Sequence, residues 1–462
     1  MNRRLPLYAE AVVANDASFG NHESAAAKMH LFDSSYGRHV FLVDGSQIFD
    51  VVSELTAETA LEALLAETLG AKSQYANACA SPIDVPPIRS ISLNVAQGCN
   101  LSCFYCYADS GKFGGSARMM KLDVAKSIAD LLINEAEPGA QLLLGFMGGE
   151  PLLNRQVLHE VTRYASQQAK AAGKSISFSI TTNGTLISRA DVELFASFPF
   201  TVQISLDGGK SLNDSLRPAK DGSGSYERVV DALKLFNRFG RPKHLAARVT
   251  VTPQSGRLLP ILDELLELGF DDVGFAPVLV SPDPNYAFAP DDFTAFLQQM
   301  IECGRKALAE SIAGRPYPFG NFTTAIEQLH KGTHRPYPCG AGAAYMSANA
   351  EGKLFACHRL IDDQAFAMGS TVDGPDLTAR TEHLKRSHVD LMEPCRSCWA
   401  RYLCGGGCYH EVRRRGRIGC DYIRGWLDFC LQAYVELTAA RPEAFMLKPQ
   451  AYAHTMEISD LF

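Results

Sequence analysis

Between residues 89 and 276 short apolar runs alternate with helical stretches, a pattern that restricts this part of the chain to a mainly parallel sheet flanked by helices. Strand candidates are residues 91–95, 141–146, 176–181, 201–205, 246–251 and 272–276. Helical periodicity fills the intervals, for example over residues 122–135 and 156–172. Six such units are too few for a closed eight-stranded barrel. They predict an α/β fold, an open, partial (β/α)6 TIM-like barrel. In barrels of this type the chemistry gathers where the strands end, and the motifs below stand there.

The first strand runs into Gln97-Gly98-Cys99-Asn100-Leu101-Ser102-Cys103-Phe104-Tyr105-Cys106-Tyr107, a C-x3-C-x2-C run. Three thiolates can hold three irons of a [4Fe–4S] cube and leave the fourth iron open to a chelating ligand. Structural zinc wants four ligands, usually as paired C-x2-C units, and no fourth stands nearby in sequence. A disulfide framework suits small secreted chains, not one of 462 residues. Of the 13 cysteines, three lie at 99–106 and eight at 339–430. Cys79 and Cys303 stand alone and read as buried small hydrophobes. Behind Arg3 and Arg4 there is no apolar stretch, so no signal peptide is expected. No run of about 18 apolar residues occurs, so no membrane span is expected. Together these features imply a reducing cytoplasm. The net charge of −7 is spread along the chain and argues against a nucleic-acid or anionic-membrane partner.

The cysteine run resembles the signature of the radical S-adenosylmethionine (SAM) superfamily, in which the open iron takes the amine and carboxylate of SAM and an aromatic residue, here Tyr105, precedes the last cysteine. The resemblance implies further site residues. Gly148-Gly149-Glu150-Pro151 after the second strand resembles the element for the SAM amine. Glycines let backbone approach a ligand closely, and the Glu150 carboxylate can accept bonds from an ammonium. Thr181-Thr182-Asn183-Gly184 and Ser205-Leu206-Asp207-Gly208 end the third and fourth strands and recur in the subgroup that includes anaerobic sulfatase-maturing enzymes. Asn183 joins the cofactor-binding residues on that basis. Ser205 and Arg217 would contact the methionyl or ribose part of SAM, and Val278 would lie near the adenine. Arg217 ends Asn213-Asp214-Ser215-Leu216-Arg217, which is similar to that subgroup's His-Asp-x-x-Arg with Asn for His. Arg248 on the fifth strand is either a reach to the SAM carboxylate or a structural salt bridge.

The second cysteine group gives C-x12-G-x4-C over Cys339, Gly352 and Cys357, then C-x2-C-x5-C-x3-C over Cys395, Cys398, Cys404 and Cys408. This pattern resembles the SPASM domain, which holds auxiliary [4Fe–4S] clusters. The resemblance implies one cluster on Cys395, Cys398, Cys404 and a later cysteine, and another on Cys339, Cys357 and Cys408. The later cysteine is Cys420, with Cys430 as the alternative. With three [4Fe–4S] clusters in all, the set of three cysteines implies a second open iron, able to take a substrate thiolate. In sulfatase-maturing enzymes a carboxylate follows the second SPASM cysteine and acts as base. Here that residue is His358, which is expected to take a proton near neutral pH. The run from Cys395 to Cys408, with Trp399 inside it, and Cys357-His358-Arg359 resemble thioether-forming peptide maturases. Two groups share this look, the maturases of six-cysteine peptides and the maturation protein of quinohemoprotein amine dehydrogenase. The resemblance implies a peptide-modifying oxidoreductase acting on a peptide with a leader segment or on a small protein subunit, with an electron donor such as flavodoxin or ferredoxin. Rival readings are carbon–carbon linkage, formylglycine formation, a non-enzymatic iron–sulfur carrier and a zinc-binding module.

Residues 38–52 read as a hairpin about Asp44-Gly45-Ser46, followed by a helix over 56–69 and a linker over 73–88. This unit resembles the peptide-recognition element of peptide-modifying radical SAM enzymes, which adds a leader peptide to a sheet edge. The expected organisation is 1–88 for this unit and linker, 89–310 for the barrel, 311–335 for a bridge, 336–435 for the auxiliary cluster domain and 436–462 for a tail. The basic run Arg413-Arg414-Arg415-Gly416-Arg417 is either a solvated loop or a dock for an acidic peptide.

Overall fold

The computed structural model describes residues 10–11, 29–51 and 83–445. The expected helix at 56–69, most of the linker after it and Cys79 lie outside the described residues. The expected hairpin forms as β3 (Gly37–Leu42) and β4 (Gln47–Val51), flanked by β1 (Glu10–Ala11) and β2 (Met29–Ser34) in the order β1-β4-β3-β2. Val40, Leu42 and Phe49 make one face of this sheet. Phe32, Phe41 and Ile48 join the main core on the other.

The barrel is six parallel strands, β5 (Ser90–Gln97), β7 (Gln141–Gly148), β8 (Ser175–Thr182), β9 (Phe200–Ser205), β10 (His244–Val251) and β11 (Asp272–Pro277), with the short β6 (Arg118–Met119) antiparallel to β5. They pair in chain order, so the sheet curves without closing. Six helices fill the connections: α1 (Leu122–Glu135), α2 (Arg155–Ala171), α3 (Arg189–Ser197), α4 (Lys210–Leu216), α5 (Tyr226–Phe239) and α6 (Leu258–Glu267). Successive side chains of a strand point to opposite faces. Leu144, Phe146, Phe178, Ile180, Val202, Ile204 and Val249 pack outward into the main core. The inner face carries Ser179, Thr181, Gln203, Ser205, Arg248 and Thr250, all half-buried. Parallel strands are ordinarily apolar on both faces. A polar inner face therefore marks the side kept for a ligand.

After β11 come α7 (Asp292–Ile312) and α8 (Gly320–Lys331). The chain then returns to the same sheet. β12 (Tyr345–Ala348) lies parallel to β5 and continues antiparallel into β13 (Lys353–Phe355), β14 (Ala367–Ser370) and β15 (Gly374–Pro375). The sheet thus runs across the division expected at residue 336. Helices α9 (Leu377–Ser387), α10 (Arg401–Cys404), α11 (Tyr409–Arg415) and α12 (Cys420–Ala440) follow. α12 packs on α7, α8 and β2. The tail expected from residue 436 begins inside this helix, because Tyr434, Val435 and Leu437 continue its buried face. No helix among the described residues is long and apolar enough to cross a membrane.

Candidate functional site

The loop carrying Cys99, Cys103 and Cys106 leaves the end of β5 and is held by backbone. Gly149 N–H donates to the Ala96 carbonyl and Glu150 N–H to the Gly98 carbonyl, both at 2.9 Å. A Cβ on Gly149 would stand 2.3 Å from the Gly98 oxygen, and one on Gly148 2.3 Å from the Ala96 oxygen. The close approach expected of these glycines is made to the cysteine loop. Glu150 is fully buried and accepts from Leu152 N–H (3.0 Å), Thr182 Oγ1 (2.8 Å) and Asn183 N–H (2.8 Å). Burial pushes its carboxyl up, against those three donors. Asn183 Nδ2 in turn lies 3.7 Å from Cys99 Sγ and 2.9 Å from Asn100 Oδ1. Glu150 thus positions Asn183, and Asn183 positions the first thiol.

A second network holds the end of the cysteine run. The Tyr105 hydroxyl donates to buried Asp207, while Arg217 Nη1 donates to that hydroxyl at 2.5 Å and stands 3.8 Å from the Asp207 carboxylate. Asp207 Oδ1 accepts from Thr250 N–H at 2.9 Å. Asn213 Oδ1 accepts from Asp207 N–H, and its Nδ2 donates to Ser225, whose hydroxyl bonds the Arg217 carbonyl. Arg217 is therefore turned onto Tyr105 and Asp207. Val278 packs with Tyr105, Leu216 and Ala287, beside Cys103 and Tyr286. This brings the residue expected near the adenine against the cysteine loop. Ser205 and Arg248 are register neighbours on the inner face, and Arg248 lies across Gly274.

The remaining cysteines divide by neighbourhood. Burial chiefly raises Cys339 to about 11 and Cys357 to about 12, with Cys408 contributing to each rise and the Arg359 cation opposing it. Burial raises Cys395 to about 11, with Cys404, Cys420 and Cys398 as neighbouring contributors. In the first loop burial raises Cys103 to about 12, Arg217 opposes, and Cys106 and Cys99 add to the rise. Cys430 is fully buried within α12, and burial alone raises its thiol. Cys420, not Cys430, therefore stands with Cys395, Cys398 and Cys404. Among the described residues no three Cys, His, Asp or Glu side chains converge as ligands of one metal ion. The cysteines nevertheless fall into sets whose members are one another's electrostatic neighbours, and thiols must give up their protons to bind metal.

One expectation is corrected. Burial, with Arg359 and His410 beside it, pushes His358 down to about 3. Its ring is neutral at pH 7, lies 3.0 Å from the Tyr345 hydroxyl through Nδ1, and is a poor base near neutral pH. In the basic run Arg413 pairs with Asp363, Arg415 donates to the Leu279 and Phe288 carbonyls, and Arg417 donates to the Gly406 carbonyl. Arg415 and Arg417 thus tie loops together, while Arg413 and Arg414 are exposed. The fold also brings Asp207 and Gln97 to the site. A buried acid just past a strand end was the available signal for Asp207; Gln97 has none in sequence.

Residues 93–255 match the family model of the radical SAM superfamily. This core is similar to the radical SAM superfamily. An uncharacterized protein of Archaeoglobus fulgidus is 28% identical over 336 residues, 70% of this chain and 75% of that protein. The cysteine-type anaerobic sulfatase-maturating enzyme of Clostridium perfringens is 24% identical over 370 residues, 76% of this chain and 95% of that enzyme. Among solved structures, native anSMEcpe with bound AdoMet superposes with a TM-score of 0.64 at 20% identity, covering 76% of this chain and 99% of that one. Streptococcus suis SuiB bound to precursor peptide SuiA gives 0.52 at 15% identity, covering 85% and 98%. The fold is therefore the α/β radical SAM fold, shared with these structures beyond the radical SAM core.

Proposed function

We propose that this radical SAM protein modifies a peptide or small protein, installing thioether cross-links between a Cys sulfur and a carbon of Asp, Glu or another residue, with the quinohemoprotein amine dehydrogenase small subunit as substrate. What supports the reading is ten cysteines whose spacing would divide them into sets of three, three and four beside a core that matches the radical SAM family model. Cys99, Cys103 and Cys106 would hold the cluster that binds SAM, and Cys339, Cys357 and Cys408 a second with an open position. Cys395, Cys398, Cys404 and Cys420 would hold a third. When bound, the first cluster and SAM supply a one-electron cleavage that yields methionine and a hydrogen-abstracting 5′-deoxyadenosyl radical.

The chain's own residues prepare for this. Tyr105, Val278 and Leu216 offer an apolar wall beside Cys103, and Ser205, Thr250 and Arg248 offer polar groups on the inner face. Asp207 and Arg217 hold Tyr105 in place. Forming one thioether removes two hydrogens: the carbon gives up one as an atom, the thiol gives up the other as a proton, and the electron left over would be taken up by a cluster that Cys339, Cys357 and Cys408 would hold. The described N-terminal sheet supports a peptide partner, since sheet edges can take an added strand.

A second reading, oxidation of Ser or Cys to formylglycine, is favoured by the likeness to sulfatase-maturating enzymes. Mass spectrometry of a co-expressed partner peptide separates the two. A thioether lowers the mass by two hydrogens per link, resists reduction and leaves no thiol to alkylate. A peptide of unchanged mass under reducing, SAM-replete conditions overturns both readings, and 5′-deoxyadenosine release separates an enzyme from an electron carrier.

A further inference from the structure

The loop of Cys99, Cys103 and Cys106 is gripped at both ends by one turn that lies far away in sequence, the segment after Cys357. Gln97, two residues before Cys99, is fully buried and donates through Nε2 to Asp362 Oδ2 at 2.9 Å. The other Asp362 oxygen accepts from Asn349 Nδ2 at 2.8 Å. Asp362 holds a left-handed backbone with φ of 63°, a conformation that costs energy for a residue with a Cβ and persists where surroundings over-determine it. At the far end, the ring of Tyr107, next to Cys106, lies under the Arg359 guanidinium, 5.0 Å from ring centre to cation. Arg359 is two residues past Cys357 and pairs with Glu411 at 2.6 Å. The His410 ring, two residues past Cys408, meets the same Tyr107 ring edge-on at 5.5 Å. Residues beside Cys99, Cys106, Cys357 and Cys408 therefore meet around one short segment, with the half-buried Arg359 cation in it.

We propose that Asp362 and Arg359 are positioning residues that lock the Cys99–Cys106 loop to the turn after Cys357, fixing the geometry of the two cysteine sites relative to each other. Electron transfer between buried sites depends on their separation, and the charge and hydrogen bonds around a cluster tune it. A clamp that shares Arg359 sets both. This inference rests on the reading of the two sites as cluster sites, but its first readout does not need the clusters.

The test uses the full-length protein with Asp362→Asn, Arg359→Met and Arg359→Lys. Asn tolerates the left-handed backbone, so Asp362→Asn removes only the carboxylate. Hydrogen exchange is followed over residues 97–107, with helix α5 as internal reference. The paramagnetic resonance signal of the reduced, anaerobic protein that disappears in Cys103→Ala is recorded alongside. Asp362→Asn and Arg359→Met are each expected to speed exchange over 97–107 several-fold, leave α5 unchanged and alter that signal, with Arg359→Lys restoring both. Unchanged exchange in the Asn and Met variants overturns the clamp, as does a Lys variant no better than Met. If Arg359→Met does not fold, Asp362→Asn decides alone. Wild-type protein without iron sinks the proposed function, and the exchange result still decides the clamp.

Discussion

Asp191 illustrates how a buried carboxylate can stabilise this fold although burial opposes its charge. Burial pushes the carboxyl up, but His159, Arg155 and Ser188 together outweigh it and hold it at about 2, against 3.8 ordinarily. The bonds are 2.8 Å from His159 Nε2, 2.8 Å from Arg155 Nε and 2.8 Å from Ser188 N–H, the last closing a capping box on α3. A folded-state value below the unfolded one stabilises above the unfolded value and loses that stabilisation as pH falls through the folded one. Roughly two units correspond to about 2–3 kcal/mol. Urea denaturation between pH 5 and pH 2 should show this loss in the wild type and a flatter profile in Asp191→Asn. Also at the residue scale, Cys420→Ala should lower the iron bound per chain after anaerobic reconstitution. Cys430→Ala should leave iron content unchanged and cost only a small packing loss, on the order of 1 kcal/mol. Equal iron loss in both variants would reverse the assignment.

Among the elements, the junction of β7 with the cysteine loop has the least tolerance. Gly149 meets Gly98 so closely that a methyl group there overlaps a carbonyl oxygen that accepts a backbone bond. Overpacking of this kind costs about 1–3 kcal/mol. Gly149→Ala should lower the melting temperature and, because the displaced segment carries Cys99, weaken iron retention more than an equally destabilising change in α5. A variant that melts lower but retains iron as well as wild type would show that the glycine serves packing alone. The hairpin, the six barrel strands and the first two barrel helices could be read from their own periodicity. Strand β2 and strands β12 to β15 could not. Strands β12 to β15 have two to four residues each, and β12 is a strand because β5 offers it an edge, with Ser92, Asn94, Tyr345 and Ser347 hydrogen-bonded across the pair.

At the scale of the whole molecule, the N-terminal sheet is docked on the auxiliary cysteine region. His30 stacks on Trp399 at 3.8 Å and bonds Asp428 at 2.6 Å. Arg401, nearly fully buried, reaches Asp44 at 2.8 Å and Asp390 at 3.4 Å. Removing one member of a buried pair costs about 3–5 kcal/mol, and partial exposure of Asp44 reduces this to about 2–3 kcal/mol. Arg401→Met should therefore loosen residues 29–51 before the barrel melts, seen as faster hydrogen exchange in β3 and β4 with β8 unchanged. Simultaneous loosening of both would make the molecule a single cooperative unit. Because Trp399 follows Cys398, a peptide held on that sheet would lie close to a candidate cluster ligand.

What the sequence determined by itself is the chemistry of the local runs. Cysteine spacing, strand–helix alternation and strand-end motifs all act within a few residues of chain, so their meaning survives without coordinates. What only the tertiary structure decided is which of these runs share a wall: Arg217 on Tyr105 and Asp207, His358 beside Arg359 and His410, and the contacts of Asp362 and Arg359 with the first cysteine loop. Those outcomes depend on burial and on pairs separated by as many as 265 residues. Hydrogen bonds and desolvation act through space, and nothing in the local order of residues encodes the distance between two distant segments.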